Sequence, residues 1–154
     1  CTEVTGSLGE LSFGTNLMHL NLRNTKLTGT LAALALLVNL RHLDLSDSIG
    51  HGGEGFTGDL EPLGALIQLH NLNLDNLYRL KGDLEPLASL KKLEVLHIES
   101  CKGLEGSVEV LKACSLLSKL NMQYCPQLSG AKVLDAALPY VMIYDQQYKS
   151  ATFH

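Results

Sequence analysis

The chain has 154 residues, of which 45% are hydrophobic and 18% charged, and its net charge is −4. That length suits one domain, with a charged fraction below the roughly 25% usual for soluble domains. Nothing in it is basic enough to track phosphates, so nucleic acid is not an expected partner, and no apolar run approaches the roughly 20 residues of a membrane span.

In chain order, the first recognisable segment is Val4-Thr5-Gly6-Ser7-Leu8, which returns as Leu27-Thr28-Gly29-Thr30-Leu31. The chain is therefore expected to open inside a repeat, as part of something longer. In Leu17-Met18-His19-Leu20-Asn21-Leu22-Arg23, Leu20 and Leu22 alternate with polar His19, Asn21 and Arg23. Alternation of period two predicts a half-buried strand. Leucines 31, 34, 37 and 40 then follow a spacing of three, which predicts a short helical or 3₁₀ run. The strand pattern comes back at Leu40-x-x-Leu43-x-Leu45, and a glycine-rich insertion, Ile49 to Gly55, lengthens that repeat. The insertion lacks the G-K-[ST] ending of a phosphate loop and is expected to bulge at the rim, with His51 and Glu54 as possible contacts.

Leu69-x-x-Leu72-x-Leu74, Leu93-x-x-Leu96-x-Ile98 and Leu117-x-x-Leu120-x-Met122 complete five strand triplets, and Leu138-x-x-Val141-x-Ile143 makes a degenerate sixth. Between them lie Leu27-x-Gly29-x-Leu31, Phe56-x-Gly58-x-Leu60, Leu80-x-Gly82-x-Leu84 and Leu104-x-Gly106-x-Val108. The glycine there fits a turn or a close backbone approach. Successive strands joined by such crossovers must be parallel. A self-similar period in this range marks a solenoid whose units bury their apolar faces only by stacking.

The paired motifs resemble the leucine-rich repeat family, and L-x-G-x-L is similar to the plant-type subclass, without its following proline. The resemblance implies an α/β solenoid: a right-handed superhelix with a parallel concave β-sheet and short 3₁₀ or helical convex segments. Residues 1–143 are expected to form about six coils, and 144–154 a C-terminal cap or tail carrying Tyr148 and Phe153.

The leucine frame sorts the remaining strand positions into outward columns. Expected partner-binding residues are His19, Asn21 and Arg23; His42 and Asp44; Asn71, Asn73 and Asp75; His97 and Glu99; Lys119, Asn121 and Gln123; and Tyr140 and Tyr144. Ser46, Val95 and Met142 fall in the same frame. The middle column is rich in amides, which both donate and accept. The third column runs from Arg23 through Asp75 and Glu99 to Gln123, a charge gradient along the groove. The tyrosines are aromatic anchors or cover the open end of the stack.

His19 and His42 share a column in adjacent coils, but no third ligand stands in register, so no metal is expected. Asp59-Leu60-Glu61-Pro62 and Asp83-Leu84-Glu85-Pro86 stack carboxylates on the convex side, solvated by default, with calcium as the alternative. Thr25, Ser48, Cys101 and Cys125 occupy one place in successive repeats, which Leu77 interrupts. These read as a ladder of small groups bonding turn backbone, and Cys114 as a packed residue of the helical half. No C-x-x-C pair supports zinc.

Repeats set like residues in columns, not in a convergent pocket, so no catalysis and no cofactor are expected. The expected function is a non-catalytic module that binds a protein or peptide through the concave β-face. An architectural subunit, a solenoid segment of a larger assembly and the ligand-binding part of a receptor ectodomain remain alternatives. The absence of N-x-[ST] acceptors weakly favours an intracellular or organellar compartment over a secreted one.

Overall fold

The computed structural model describes residues 5–11, 14–48, 55–138 and 140–146. Cys1, the Ile49–Glu54 part of the glycine-rich insertion, Tyr148 and Phe153 lie outside the described residues. The strands are β1 (Thr5–Ser7), β2 (His19–Asn21), β3 (Lys26–Thr30), β4 (His42–Asp44), β5 (Phe56–Thr57), β6 (Asn71–Asn73), β7 (Val95–His97), β8 (Gly106–Ser107), β9 (Lys119–Asn121), β10 (Leu128–Ser129) and β11 (Met142–Tyr144).

Six of these build one parallel sheet in the order β2-β4-β6-β7-β9-β11. Each has three residues, and its central leucine or isoleucine faces inward: Leu43, Leu72, Leu96 and Leu120 are essentially buried. Register follows the leucine frame without a slip from β2 to β9: Leu20, Leu43, Leu72, Leu96 and Leu120 are successive partners. Crossovers between parallel strands take the right-handed sense.

The return half of each coil is the predicted 3₁₀ run. It covers Leu31–Leu36, Glu61–Ala65, Glu85–Ser89 and Val108–Ala113 in successive coils. Pro62 and Pro86 lie at its first turn, where a missing N–H and a fixed φ are tolerated. Asp59 Oδ1 accepts from Glu61 N–H at 3.1 Å and Asp83 Oδ1 from Glu85 N–H at 2.9 Å. These carboxylates therefore close Asx turns that lead into the 3₁₀ runs. In the last coil the run becomes an α-helix, α1 (Ala131–Ala137).

L-x-G-x-L, expected as a turn, carries a second parallel ladder. Its register is staggered: the glycine of one coil pairs with the leading apolar residue of the next, as Gly6 with Leu27, Gly29 with Phe56 and Gly106 with Leu128. Gly58–Leu80 and Gly82–Leu104 continue it as isolated bridges. These glycines hold positive φ, such as 123° at Gly29, a region costly to residues with a Cβ. Coil contact is also tight at Gly103, where an added Cβ would clash with the Leu80 carbonyl oxygen.

The core is one continuous column of leucines, with Phe56 filling the coil after the insertion. Each buried leucine contributes on the order of 1.5–3 kcal/mol. In the first coil Leu17 and Leu20 are only half-buried, whereas Leu69 and Leu72 in the third are fully covered.

Candidate functional site

An open groove of about 420 Å³ runs across the concave sheet, lined by His19, Asn21, His42, Asp44, Asn71, Asn73, Val95 and His97 with the intervening leucines. Seven of the expected partner-binding residues thus come together in its walls. Lys119, Asn121 and Tyr144 extend the same face on β9 and β11, in register with Val95 and His97. Arg23, Asp75, Glu99 and Gln123 stand past the strands, in the turns that form one rim.

Two placements differ from the sequence frame. Tyr140 is not on the sheet: it precedes β11, 91% exposed, while Met142 pairs with Lys119 and Tyr144 with Asn121. The cause is that Leu138 stands at the place of Cys114 and not of Leu117, so the strand begins later than the apolar spacing suggests. Val141 N–H bonds Leu138 C=O as Leu117 N–H bonds Cys114 C=O, yet Ile143, two residues on, occupies the place of Leu120. Ser46, framed as outward, is 1% exposed. Its hydroxyl turns back to donate to Asp44 Oδ1 at 2.6 Å.

The middle column has a structural duty that its residue types concealed. Asn21, Asp44, Asn73 and Asn121 each accept, through Oδ1, the backbone N–H two residues on, at 2.9, 3.0, 3.0 and 3.3 Å. These Asx turns close the ends of β2, β4, β6 and β9. Just beyond them Asn24, Asp47, Asn76, Ser100 and Tyr124 all take positive φ, from 54° to 64°, which Asn and Asp tolerate best. His97 has no side-chain oxygen to close its turn. Asp75 reaches over from the preceding coil instead, accepting Glu99 N–H at 2.6 Å and lying 3.4 Å from His97 Nδ1.

The first column is freer: His19, His42, Asn71, Val95, Lys119 and Met142. The His19 and His42 rings stack at 4.5 Å between centroids and 6° between planes. Asn71 Nδ2 donates to His42 Nδ1 at 2.7 Å, the arrangement a neutral imidazole accepts. Burial first, then the neighbouring His19 and His70, lowers the His42 pKa below its ordinary value. Parallel stacked rings cannot point two nitrogens at one ion. Among the described residues no group of three His, Cys, Asp or Glu side chains is placed to hold a metal. At the far end Lys119 Nζ sits 5.6 Å from the Tyr144 ring centroid, and Arg23 pairs with Asp47 at 3.3 Å.

The small-group ladder forms inside the stack. Ser48 Oγ donates to Leu22 C=O at 2.6 Å, Cys101 Sγ to Leu74 C=O at 3.1 Å and Cys125 Sγ to Ile98 C=O at 2.9 Å, each reaching the preceding coil. Thr25 bonds within its own coil, to Leu22 C=O at 2.8 Å. Cys101, Cys114 and Cys125 are free thiols. Burial raises all three pKa values, Cys125 to about 11. No described helix is long and apolar enough to cross a membrane.

No protein-family model matches the chain, and no curated protein sequence does. Solved structures do. Internalin C2 of Listeria monocytogenes matches 90% of the chain at 23% identity with a TM-score of 0.70, the chain spanning 55% of that protein. The leucine-rich-repeat ectodomain of the Arabidopsis thaliana receptor kinase GASSHO1/SCHENGEN3, in complex with CASPARIAN STRIP INTEGRITY FACTOR 2, matches 78% at 21% identity and 0.60, over 14% of its length. The plant peptide hormone receptor RGFR1, in complex with RGF2, matches 94% at 23% identity and 0.59, over 26% of its length. The chain thus spans about half or less of the length of each of these three structures. With the two ladders, the 3₁₀ returns and the unbroken leucine core, the likeness identifies the fold: this chain is a leucine-rich-repeat solenoid.

Proposed function

We propose that the protein is a non-catalytic recognition module that binds a protein or peptide through the concave sheet. The observation that supports this reading most is the first column. Its side chains stand along the groove and the sheet beyond it, and among the described residues none of them closes a strand-end turn as the Asx residues beside them do. The RGFR1 and GASSHO1/SCHENGEN3 structures, complexes of similar fold, favour the same use here. A photo-crosslinking residue at Asn71, compared with one at convex Ala88, tests it in an extract of the native source. Adducts from position 71 alone are expected, and adducts from position 88 alone would refute the concave assignment.

A second reading is packing within a larger assembly. Leu36 and, in adjacent coils, Val38 and Ile67 expose 61%, 45% and 52% of their surface on the return side, which suits an apolar contact. The staggered glycine ladder supports placing the repeats with the plant-type subclass.

A further inference from the structure

The charges of the groove select the chemistry of its occupant, an inference that rests on the concave face being the binding surface. Among the described residues, no lysine or arginine lines it. Asp44 does, and its Oδ1 is held by the Ser46 N–H and hydroxyl while Oδ2 has no partner among the described residues. One coil on, Asp75 takes a backbone N–H and faces His97, and in the next coil Glu99 Oε2 accepts from Asn121 Nδ2 at 2.8 Å. None of the three carboxylates has a Lys or Arg within ion-pair distance among the described residues, and Arg23 nearby is engaged by Asp47. Carboxylates in three successive coils, partly shielded from water, therefore carry negative charge uncompensated by a fixed cation.

We infer that the groove binds a basic peptide segment, with Lys or Arg side chains set against Asp44 and the Asp75–Glu99 rim. Such complementarity governs which partner docks more than it adds raw affinity. The histidines then give the contact a pH dependence. His19, His42 and His97 share the face, with His70, Arg41 and Glu94 near His42 and Lys119 one coil past Val95. While neutral, the imidazoles leave the carboxylate field intact. Once protonated they place positive charge among the carboxylates and repel a cationic ligand. His42 resists protonation: its protonated Nδ1 would face the Asn71 amide donor unless that amide turned over.

The test is fluorescence anisotropy with short labelled peptides alternating glycine with Arg, Glu or Gln. Protein variants are Asp44→Asn/Asp75→Asn, Val95→Trp as a steric block of the groove floor, and Glu61→Gln/Glu85→Gln as a convex control. Asparagine keeps the Oδ1 acceptors at 44 and 75, so the fold is retained. The Arg peptide is expected to bind about tenfold or more tighter than the Glu peptide. It should lose about three- to tenfold in the Asp44/Asp75 variant, lose binding in Val95→Trp, and be unchanged in the convex control. Affinity should fall as the pH is lowered through the range in which histidines protonate. No preference for the Arg peptide, or full binding by the Asp44/Asp75 variant, overturns the cationic assignment. If Val95→Trp still blocks in that case, the concave face survives as the docking surface. If Val95→Trp has no effect on a bound peptide, the surface itself is refuted.

Discussion

Asp75→Ala is the perturbation whose size follows most closely from geometry. The carboxylate replaces the missing Asx oxygen of the next coil, accepting Glu99 N–H at 2.6 Å, and stands 3.4 Å from His97 Nδ1. A backbone bond to a charged acceptor is worth about 1.5–3 kcal/mol when buried. Glu99 is half-exposed, so water replaces part of it and the lower end applies. The His97 contact is long and partly solvated, adding at most about 0.5 kcal/mol. The expected loss is about 1.5–2 kcal/mol, or a fall in melting temperature of roughly 3–8 °C at this size. Asp75→Asn keeps a neutral acceptor and should lose about 0.5–1 kcal/mol. Urea unfolding of the three proteins measures the difference, with unchanged m-values as the check that compactness is the same. Equal stability of wild type and Asp75→Ala, or equal losses in the two variants, would refute the cross-coil role.

Three further predictions follow from burial. Leu72→Ala, in the fully covered third coil, should lose about 2–5 kcal/mol, and Leu20→Ala, half-buried in the first, clearly less; denaturant unfolding of both variants compares them, and equal losses would contradict the burial gradient. Cys101, Cys114 and Cys125 should resist alkylation at mildly alkaline pH and react together on unfolding, which peptide mapping by mass spectrometry reads directly. His42 should titrate below the ordinary imidazole value of 6.5. The unfolded chain then takes up that proton first, so stability present above pH 6.5 is lost as pH falls towards the folded pKa. NMR titration of the ring gives the midpoint, and His42→Asn should soften the acid loss.

How much of this was legible in the sequence depended on whether one force decided the position. Leu20, Leu43, Leu72, Leu96 and Leu120 fell on the predicted inward line because burial alone sets a strand's period. The 3₁₀ return was legible for the same reason, from leucines 31, 34, 37 and 40. Asn21, Asp44, Asn73 and Asn121 were placed correctly on the face, but their turn-closing duty was not read, since a side-chain oxygen serves a backbone N–H as readily as a partner. Their spacing to the positive-φ residues Asn24, Asp47 and Asn76 was the available signal. Ser46 was framed outward because a serine satisfied by Asp44 looks like a solvated one. Tyr140 was misplaced because Leu138-x-x-Val141-x-Ile143 has the spacing of a strand triplet although Leu138 takes the place of Cys114, a shift that only strand pairing exposes. The second ladder hid behind its glycines, which read as turns until their stagger joined them to the next coil.

Hydrogen exchange, run with and without the partner recovered by cross-linking, tests the concave face most directly. Slowed exchange in peptides covering 42–44, 71–73 and 95–97, with 61–65 and 85–89 unchanged, is the predicted result. Slowed exchange confined to 61–65 and 85–89 would contradict it and move the binding surface to the convex side.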